Sequence, residues 1–333
     1  MLINTVIIVH CQHPYECDRK MVSVLKDKIL EFHPDTLEYV RKDVNLVTQS
    51  RIDEAVDILE DWVKKQQHFI KKDFSRDYLE RTLINAKGMV ERAKQRIDKL
   101  CTFKTLMPEL YPGPVSRKQF ESLDNYVRYG FLPKMTKEHY RVSLFNVKSD
   151  DYQSADIHNF YRYVTVICEY IRINDYNSGL VVLLDFRNAN ILTFITKCTP
   201  MELRQILTLM TEGYGMRIKQ IHLITASKMV DALLGFLKQV LSSKLAGRIH
   251  LHKNLDSLYE VVPRDVLPEE YGGKERSMQS LSEEWLDRLT SKDFEAYFNM
   301  MYQAKTDESC RQASNFNEKY VGMPGSFRAL SVD

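Results

Sequence analysis

The chain has 333 residues, 44 % hydrophobic and 28 % charged, with 12 Gly and 10 Pro; at roughly 100–200 residues per domain this suits two packed domains and excludes collagen-like, low-complexity and mostly disordered chains. Its 47 basic and 45 acidic residues leave a formal net charge of +2, which excludes a bulk electrostatic grip on nucleic acid and leaves only local basic patches. The cysteines, Cys11, Cys17, Cys101, Cys168, Cys198 and Cys310, are scattered without CxxC spacing, as expected of reduced thiols in a cytosolic protein. No apolar run approaches the length of about 18 residues that a membrane span needs.

The segment LINTVIIV after Met1 is apolar but short. It has no basic residue before it, and His10-Cys11-Gln12-His13 follows in place of a small-residue cleavage site. Residues 1–20 are read as a loosely attached extension, with a secretory signal as the alternative. Met21 opens a helical stretch, and residues 21–107 read as an N-terminal all-helical bundle. Its stripes are Ile52, Val56, Leu59, Trp62 and Val63, then Tyr78, Leu79, Leu83 and Ile84, then Met89, Val90, Ala93, Ile97, Leu100 and Cys101. Gln49-Ser50 offers a start signal, and Gly88 separates the last two stripes. The Pro- and Gly-containing run at 108–114 (PELYPGP) marks a domain boundary.

Beyond it the period changes. Residues 140–147 read as a strand and 155–173 as a long apolar-aromatic helix. The continuous aliphatic run at 180–186 reads as a strand buried on both faces. Residues 200–212 read as a helix with Thr199 as N-cap and Pro200 in its first position. A strand at 218–224, a helix at 227–245 and a short strand at 248–252 follow. Strands alternating with helices imply parallel pairing, so residues 115–275 form an α/β layer domain. Residues 276–333 read as a C-terminal amphipathic helix (281–305) and an extended tail.

No P-loop, nucleophile elbow, zincin or dinucleotide fingerprint is present. Gly213 and Gly215 lie between a helix and a strand, the wrong order for a phosphate loop, and Gly213 reads as a helix stop. His250 and His252 share one strand face without further ligands in view and read as structural. Asp185, at a strand end, reads as a hydrogen-bond acceptor for the following turn. The helix at 227–245 carries one apolar face, Met229, Leu233, Phe236, Leu237, Val240 and Leu241. Periodicity leaves open whether that face fills a core or closes a cavity. Arg217 and Lys219 precede this helix, while Lys244 and Arg248 follow it. Four cations meeting there would suit a phosphorylated headgroup.

Residues 216–224 (MRIKQIHLI) and 267–273 (LPEEYGG) resemble the gate strand and closing signature of the CRAL-TRIO lipid-binding family. The tail at 322–328 (GMPGSFR) is similar to the C-terminus of insect members of the alpha-tocopherol transfer protein-like, cellular retinaldehyde-binding protein-like and clavesin-like branches. The resemblance covers about residues 45–275 plus this tail. It implies a mixed, mostly parallel sheet flooring a deep apolar pocket, closed by a mobile gate helix at 227–245. It implies pocket-lining roles for Leu180, Leu184, Ile206, Leu209, Met210, Met216, Ile221, Leu233 and Leu237. It implies that Arg217, Lys219, Lys244 and Arg248 receive a phosphatidylinositol bisphosphate headgroup, with Lys and Arg exchanged at the first two positions.

The function expected is carriage of a hydrophobic small molecule (retinoid, tocopherol, carotenoid or similar lipid) between membranes, without covalent chemistry, cofactor or metal. Phosphoinositide in the membrane would assist gate opening. The alternative is a phosphoinositide-sensing regulatory or trafficking module without net transfer. The expected partners are the lipid and the membrane surface, with no nucleic acid. The protein is expected to be a cytoplasmic, transiently membrane-associated monomer.

Overall fold

The central aliphatic run becomes the middle strand of a five-stranded sheet. The computed structural model describes residues 29–311; the N-terminal extension, the helical start at Met21 and the tail at 322–328 lie outside them. The strands are β1 (Val127–Met135), β2 (Tyr140–Val147), β3 (Gly179–Asp185), β4 (Ile218–Ile224) and β5 (Ile249–His252), in that spatial order. β1 runs antiparallel to β2, and the other three pairings are parallel. The fold is therefore mixed α/β with a mostly parallel sheet, as expected.

β1 is the element the sequence hides. Its run VRYGFLPKM contains Gly130 and Pro133, which argue against a strand interior. Both are tolerated because β1 is an edge strand whose register breaks between Phe131 and Met135. Gly130 is required by packing: a Cβ there would lie 2.7 Å from the Trp285 indole. That indole is fully buried and donates through Nε1 to the Phe131 carbonyl at 2.9 Å.

The N-terminal segment folds as helices α1 (Thr36–Asp43), α2 (Gln49–Lys65), α3 (Arg76–Asn85) and α4 (Val90–Leu106). The cap of α2 is Thr48, whose side chain accepts from the Arg51 N–H, one position before the expected start. The α3–α4 reversal uses Lys87 and Gly88, both left-handed at φ 61° and 69°. A Cβ at Gly88 would fall 2.2 Å from the Val44 carbonyl oxygen, so only glycine fits. Arg172 ties this unit to the sheet domain, donating to the Tyr214 carbonyl at 2.9 Å and to Thr82 Oγ1 at 2.6 Å.

After the short helix α5 (Arg117–Phe120), the sheet is layered by α6 (Ser154–Asn174), α7 (Ile191–Lys197), α8 (Pro200–Thr208), α9 (Val230–Val240), α10 (Ser243–Ala246) and α11 (Asp256–Tyr259). The C-terminal helical stretch is two helices, α12 (Met278–Leu289) and α13 (Lys292–Tyr302), because Ser291 caps the second by accepting from Phe294 N–H. Alternation along the strands gives the sheet two different faces. One face, with Val142, Leu144, Val181 and Leu183, is filled by Leu258, Leu267, Tyr271 and Leu281. The opposite face meets α6 to α9. Among the described residues no helix is long and apolar enough to cross a membrane.

Because the Trp285 indole occupies the space over Gly130, Gly130→Ala is expected to destabilise the fold by about 1–3 kcal/mol through overpacking. Urea unfolding should show a lower midpoint with an unchanged m value.

Candidate ligand cavity and cationic edge

On the open face, alternate strand residues turn their side chains toward a cavity of about 190 Å³. Ser143 and Phe145 of β2, Leu180, Val182 and Leu184 of β3, and Ile218 and Ile221 of β4 form its floor. Ile218 and Ile221 are three apart and would face opposite sides of a regular strand. The β3–β4 register shifts between Leu180–Ile218 and Val181–Gln220, leaving Lys219 as the extra residue of a bulge that sends both isoleucines inward. Gly179 admits this bulge: a Cβ there would meet the Lys219 side chain at 2.5 Å and the Arg217 carbonyl oxygen at 2.9 Å.

The wall comes from α6 and α8, with Phe160, Val164, Leu203, Ile206 and Leu207, and Met210 from the π-helical turn Leu209–Gly213. Leu237 and Leu241 close the top. The expected gate helix at 227–245 is two pieces, α9 and α10, because Leu241 is extended and Ser242 caps α10 by accepting from Leu245 N–H. Of its apolar face, Leu233, Phe236, Leu237 and Val240 are buried and Met229 is exposed. The pocket volume expected of such a site is roughly 300–1,000 Å³. The smaller value here follows from the aromatic rings that crowd it and from α9 packed down against α7 and α8; Phe194 and Phe236 meet edge-on at 6.0 Å.

Of the residues named for the pocket, Leu180, Leu184, Ile206, Met210, Ile221 and Leu237 line this cavity, while Leu209, Met216 and Leu233 lie outside its lining. Leu209 falls off the 203–206–207–210 helical face and turns instead toward α4, where it, Leu100 and Phe103 crowd Gly213. Met216 precedes β4 and packs its sulfur 3.8 Å from Cys168 Sγ. Leu233 is fully buried with the core residues around the cavity. Sequence reasoning missed Val127 and Tyr129 of β1; it expects residues 155–175 to contribute without naming any, and α6 supplies Ile157, Phe160, Tyr161 and Val164. The period-2 spacing of Val127 and Tyr129 was the available signal, masked by Gly130 and Pro133.

Three of the named cations, Arg217, Lys219 and Arg248, gather at the start of β4. Arg217 donates to the Asn177 carbonyl at 3.0 Å and pairs with Asp43 of α1 at 3.4 Å. Lys219 lies over the Tyr140 ring at 5.1 Å. Burial first, then Arg217, Lys87 and Arg248 on the same edge, pull the Lys219 pKa below that of an ordinary lysine. Arg248 donates to the Ile218 carbonyl. Lys244 is exposed on α10, one turn before Arg248. Lys87, on the left-handed α3–α4 turn, is a further cation that spacing did not reveal.

The β3 end and the 267–273 segment are joined. Tyr271 donates from its hydroxyl to Asp185 at 2.5 Å, and Asp185 accepts from the Arg187 backbone N–H at 3.0 Å. Gly272 is left-handed at φ 65°, and a Cβ at Gly273 would lie 1.8 Å from the Leu267 carbonyl oxygen. The glycines of this signature are thus steric requirements of its turn.

Residues 126–273 match the CRAL/TRIO domain. The chain is 28 % identical over 106 residues to alpha-tocopherol transfer protein-like of Mus musculus, covering 32 % of this chain and 31 % of that protein. It is 31 % identical over 99 residues to clavesin-2 of Homo sapiens, covering 29 % of each. The matched stretches thus span under a third of these relatives. Among solved structures, the crystal structure of Sfh5 aligns with a TM-score of 0.48 and 9 % identity, covering 82 % of this chain and 98 % of that one.

On the edge of the sheet, His222 of β4 meets His250 and His252 of β5. His222 Nδ1 lies 2.9 Å from His252 Nε2, and His222 stacks on His250 at 5.3 Å. His252 Nδ1 is 2.9 Å from Ser257 Oγ. Among the described residues no three His, Cys, Asp or Glu side chains are arranged to hold a metal. Burial and the two neighbouring imidazoles push the His222 pKa down from 6.5 to about 4. The unfolded chain therefore binds more protons than the folded one between these values, and stability falls as pH drops from 6.5 towards 4. His222→Gln should flatten this dependence in urea unfolding measured across that range.

Proposed function

We propose that the protein binds a hydrophobic small molecule beneath α9 and transfers it between membranes, with phosphoinositide assisting release. The observation that carries this reading is the apolar cavity between the sheet and the buried face of α9. The relative named alpha-tocopherol transfer protein-like supports the same class of cargo. Removing apolar surface from water contributes about 25 cal/mol per Å², enough to hold a lipid without covalent chemistry. An engineered apolar cavity of about 150 Å³ accommodates a benzene ring. A larger lipid requires α9 to lift, so loading and release share one motion.

Arg217, Lys219, Lys244 and Arg248 are proposed to receive the headgroup. Arg217 and Lys219 are part-buried and pay desolvation already, so an incoming phosphate gains charge-assisted hydrogen bonds from donors held in place. A headgroup that binds better with α9 displaced biases the gate towards opening.

Labelled-lipid transfer between vesicles with and without phosphatidylinositol bisphosphate tests this reading. Each cation near an anionic surface contributes about 1 kcal/mol, so Arg217→Glu with Lys244→Glu is expected to slow phosphoinositide-dependent transfer roughly tenfold or more, with loading retained. Equal rates for variant and wild type would refute headgroup assistance. Loading and phosphoinositide binding without any net transfer would favour the regulatory module.

The cavity itself has its own test. Leu184→Trp projects a large side chain from the floor and is expected to lower loading about tenfold while the circular dichroism spectrum stays that of the folded protein. Undiminished loading would place the lipid elsewhere.

A further inference from the structure

Asp43 closes α1 against a local rule. It is the last residue of this eight-residue helix, where a carboxylate opposes the partial negative charge of the helix C-terminus. The compensation comes from outside the helix: Arg217 Nη1 lies 3.4 Å from Asp43 Oδ2. The pair is unevenly covered. The Arg217 side chain is 9 % exposed and that of Asp43 39 %. Arg217 Nη2 donates to the Asn177 carbonyl at 3.0 Å, and Nε is buried without a hydrogen-bond partner among the described residues. Both terminal nitrogens of Arg217 are thus engaged before any ligand arrives.

The same carboxylate acts on the neighbouring cation. Asp43 raises the Lys219 pKa against burial and against Arg217, Lys87 and Arg248, which lower it. The body of α1 is fixed independently of this contact. Thr36 and Val40 are buried. Thr36 Oγ1 lies 3.1 Å from His139 Nδ1, the Tyr39 ring stacks on His139 at 4.0 Å, and Arg41 pairs with Glu80 at 2.6 Å. The Asp43 side chain is therefore free to swing off Arg217 while the helix stays in place. The small net worth of an ion pair with a solvent-exposed partner keeps the cost of that swing low.

We propose that Asp43 is an internal stand-in for the phosphate of an inositol phosphate headgroup. With no anion at the cationic edge, its carboxylate occupies the Arg217 guanidinium. A phosphate gains that guanidinium only by displacing it. Asp43 therefore weakens headgroup binding and sets how much phosphoinositide a membrane must present before the edge engages it. This rests on the headgroup reading above and adds its regulation: a brake carried by α1, outside the sheet that holds three of the four proposed donors or their backbone partners.

The test measures binding of the purified full chain to two probes. One is phosphatidylcholine vesicles carrying phosphatidylinositol bisphosphate, read by co-sedimentation. The other is soluble inositol trisphosphate, read by calorimetry. Asp43→Asn is expected to tighten vesicle binding about two- to fivefold, the size of one part-exposed ion pair. In an Arg217→Gln background the same substitution should give no gain, because the group it competes for is gone. Glu38→Gln removes an exposed charge from the same helix and should also give none. A gain on the vesicles supports the inference with a lipid headgroup as occupant. A gain on the soluble probe alone supports it with a free inositol phosphate as occupant. Wild-type binding that Asp43→Asn leaves unchanged overturns the inference and leaves the headgroup reading standing. A gain that persists undiminished without Arg217, or that Glu38→Gln matches, also overturns it, since the effect would then be one of net charge. Failure of the wild type and of every variant to bind either probe removes both readings.

Discussion

One extra residue in β4 arranges the site. The bulge at Lys219 breaks the alternation of the strand, so Ile218 and Ile221 both turn to the cavity while Lys219 is thrown out over Gly179 and Tyr140. Without it, a period of two would send one isoleucine to the opposite face. The same irregularity therefore makes the apolar floor and presents a cation at its edge. It requires a strand neighbour without a side chain at the point of contact, and Gly179 is that neighbour. An apolar interior and a charged rim thus lie within two residues of each other along one strand.

Much of this was legible because buried strands and amphipathic helices leave strong periodic signals. The aliphatic run of β3 and the parallel strands beside it follow from their patterns, as do the stripes of α2 to α4. What escaped were places where tertiary contact overrides a local rule. β1 carries Gly130 and Pro133 because Trp285 packs against one and the register break accommodates the other. The division of the 227–245 segment at Leu241 and Ser242 leaves no mark in its apolar spacing, since a capping serine inside a helical pattern is also compatible with continuation. The family resemblance implies a cavity role for Leu209, yet helical geometry turns it towards α4.

The two faces of the sheet also explain why the cavity lies where it does. The face covered by Leu258, Leu267, Tyr271 and Leu281 is filled by a segment pinned at both ends. Tyr271 bonds to Asp185 at the strand end, and the Tyr259 hydroxyl donates to the Tyr271 carbonyl at 2.9 Å. Gly272 and Gly273 let this segment turn tightly enough to lie flat. The opposite face is spanned by helices whose apolar residues meet over the sheet without filling it. The sheet thus has one solid face and one hollow face, each with its own buried cluster, although both clusters use aliphatic and aromatic residues of the same kinds.

The connection between the rim and the lid runs through Arg248. Its guanidinium donates to the Ile218 carbonyl, on the residue that floors the cavity, and it follows α10 directly. On the proposed reading, a phosphate competing for that guanidinium loosens the tie between α10 and β4. The piece most directly freed is α10, joined to α9 only by the extended Leu241 and by Ser242. Leu241 itself closes the cavity top, so movement of α10 draws on the residue nearest the opening. The break in the expected single helix is then a hinge placed between the headgroup donors and the apolar cover. A continuous helix would have transmitted the same force only by tilting as one rigid body, against the whole of its buried face.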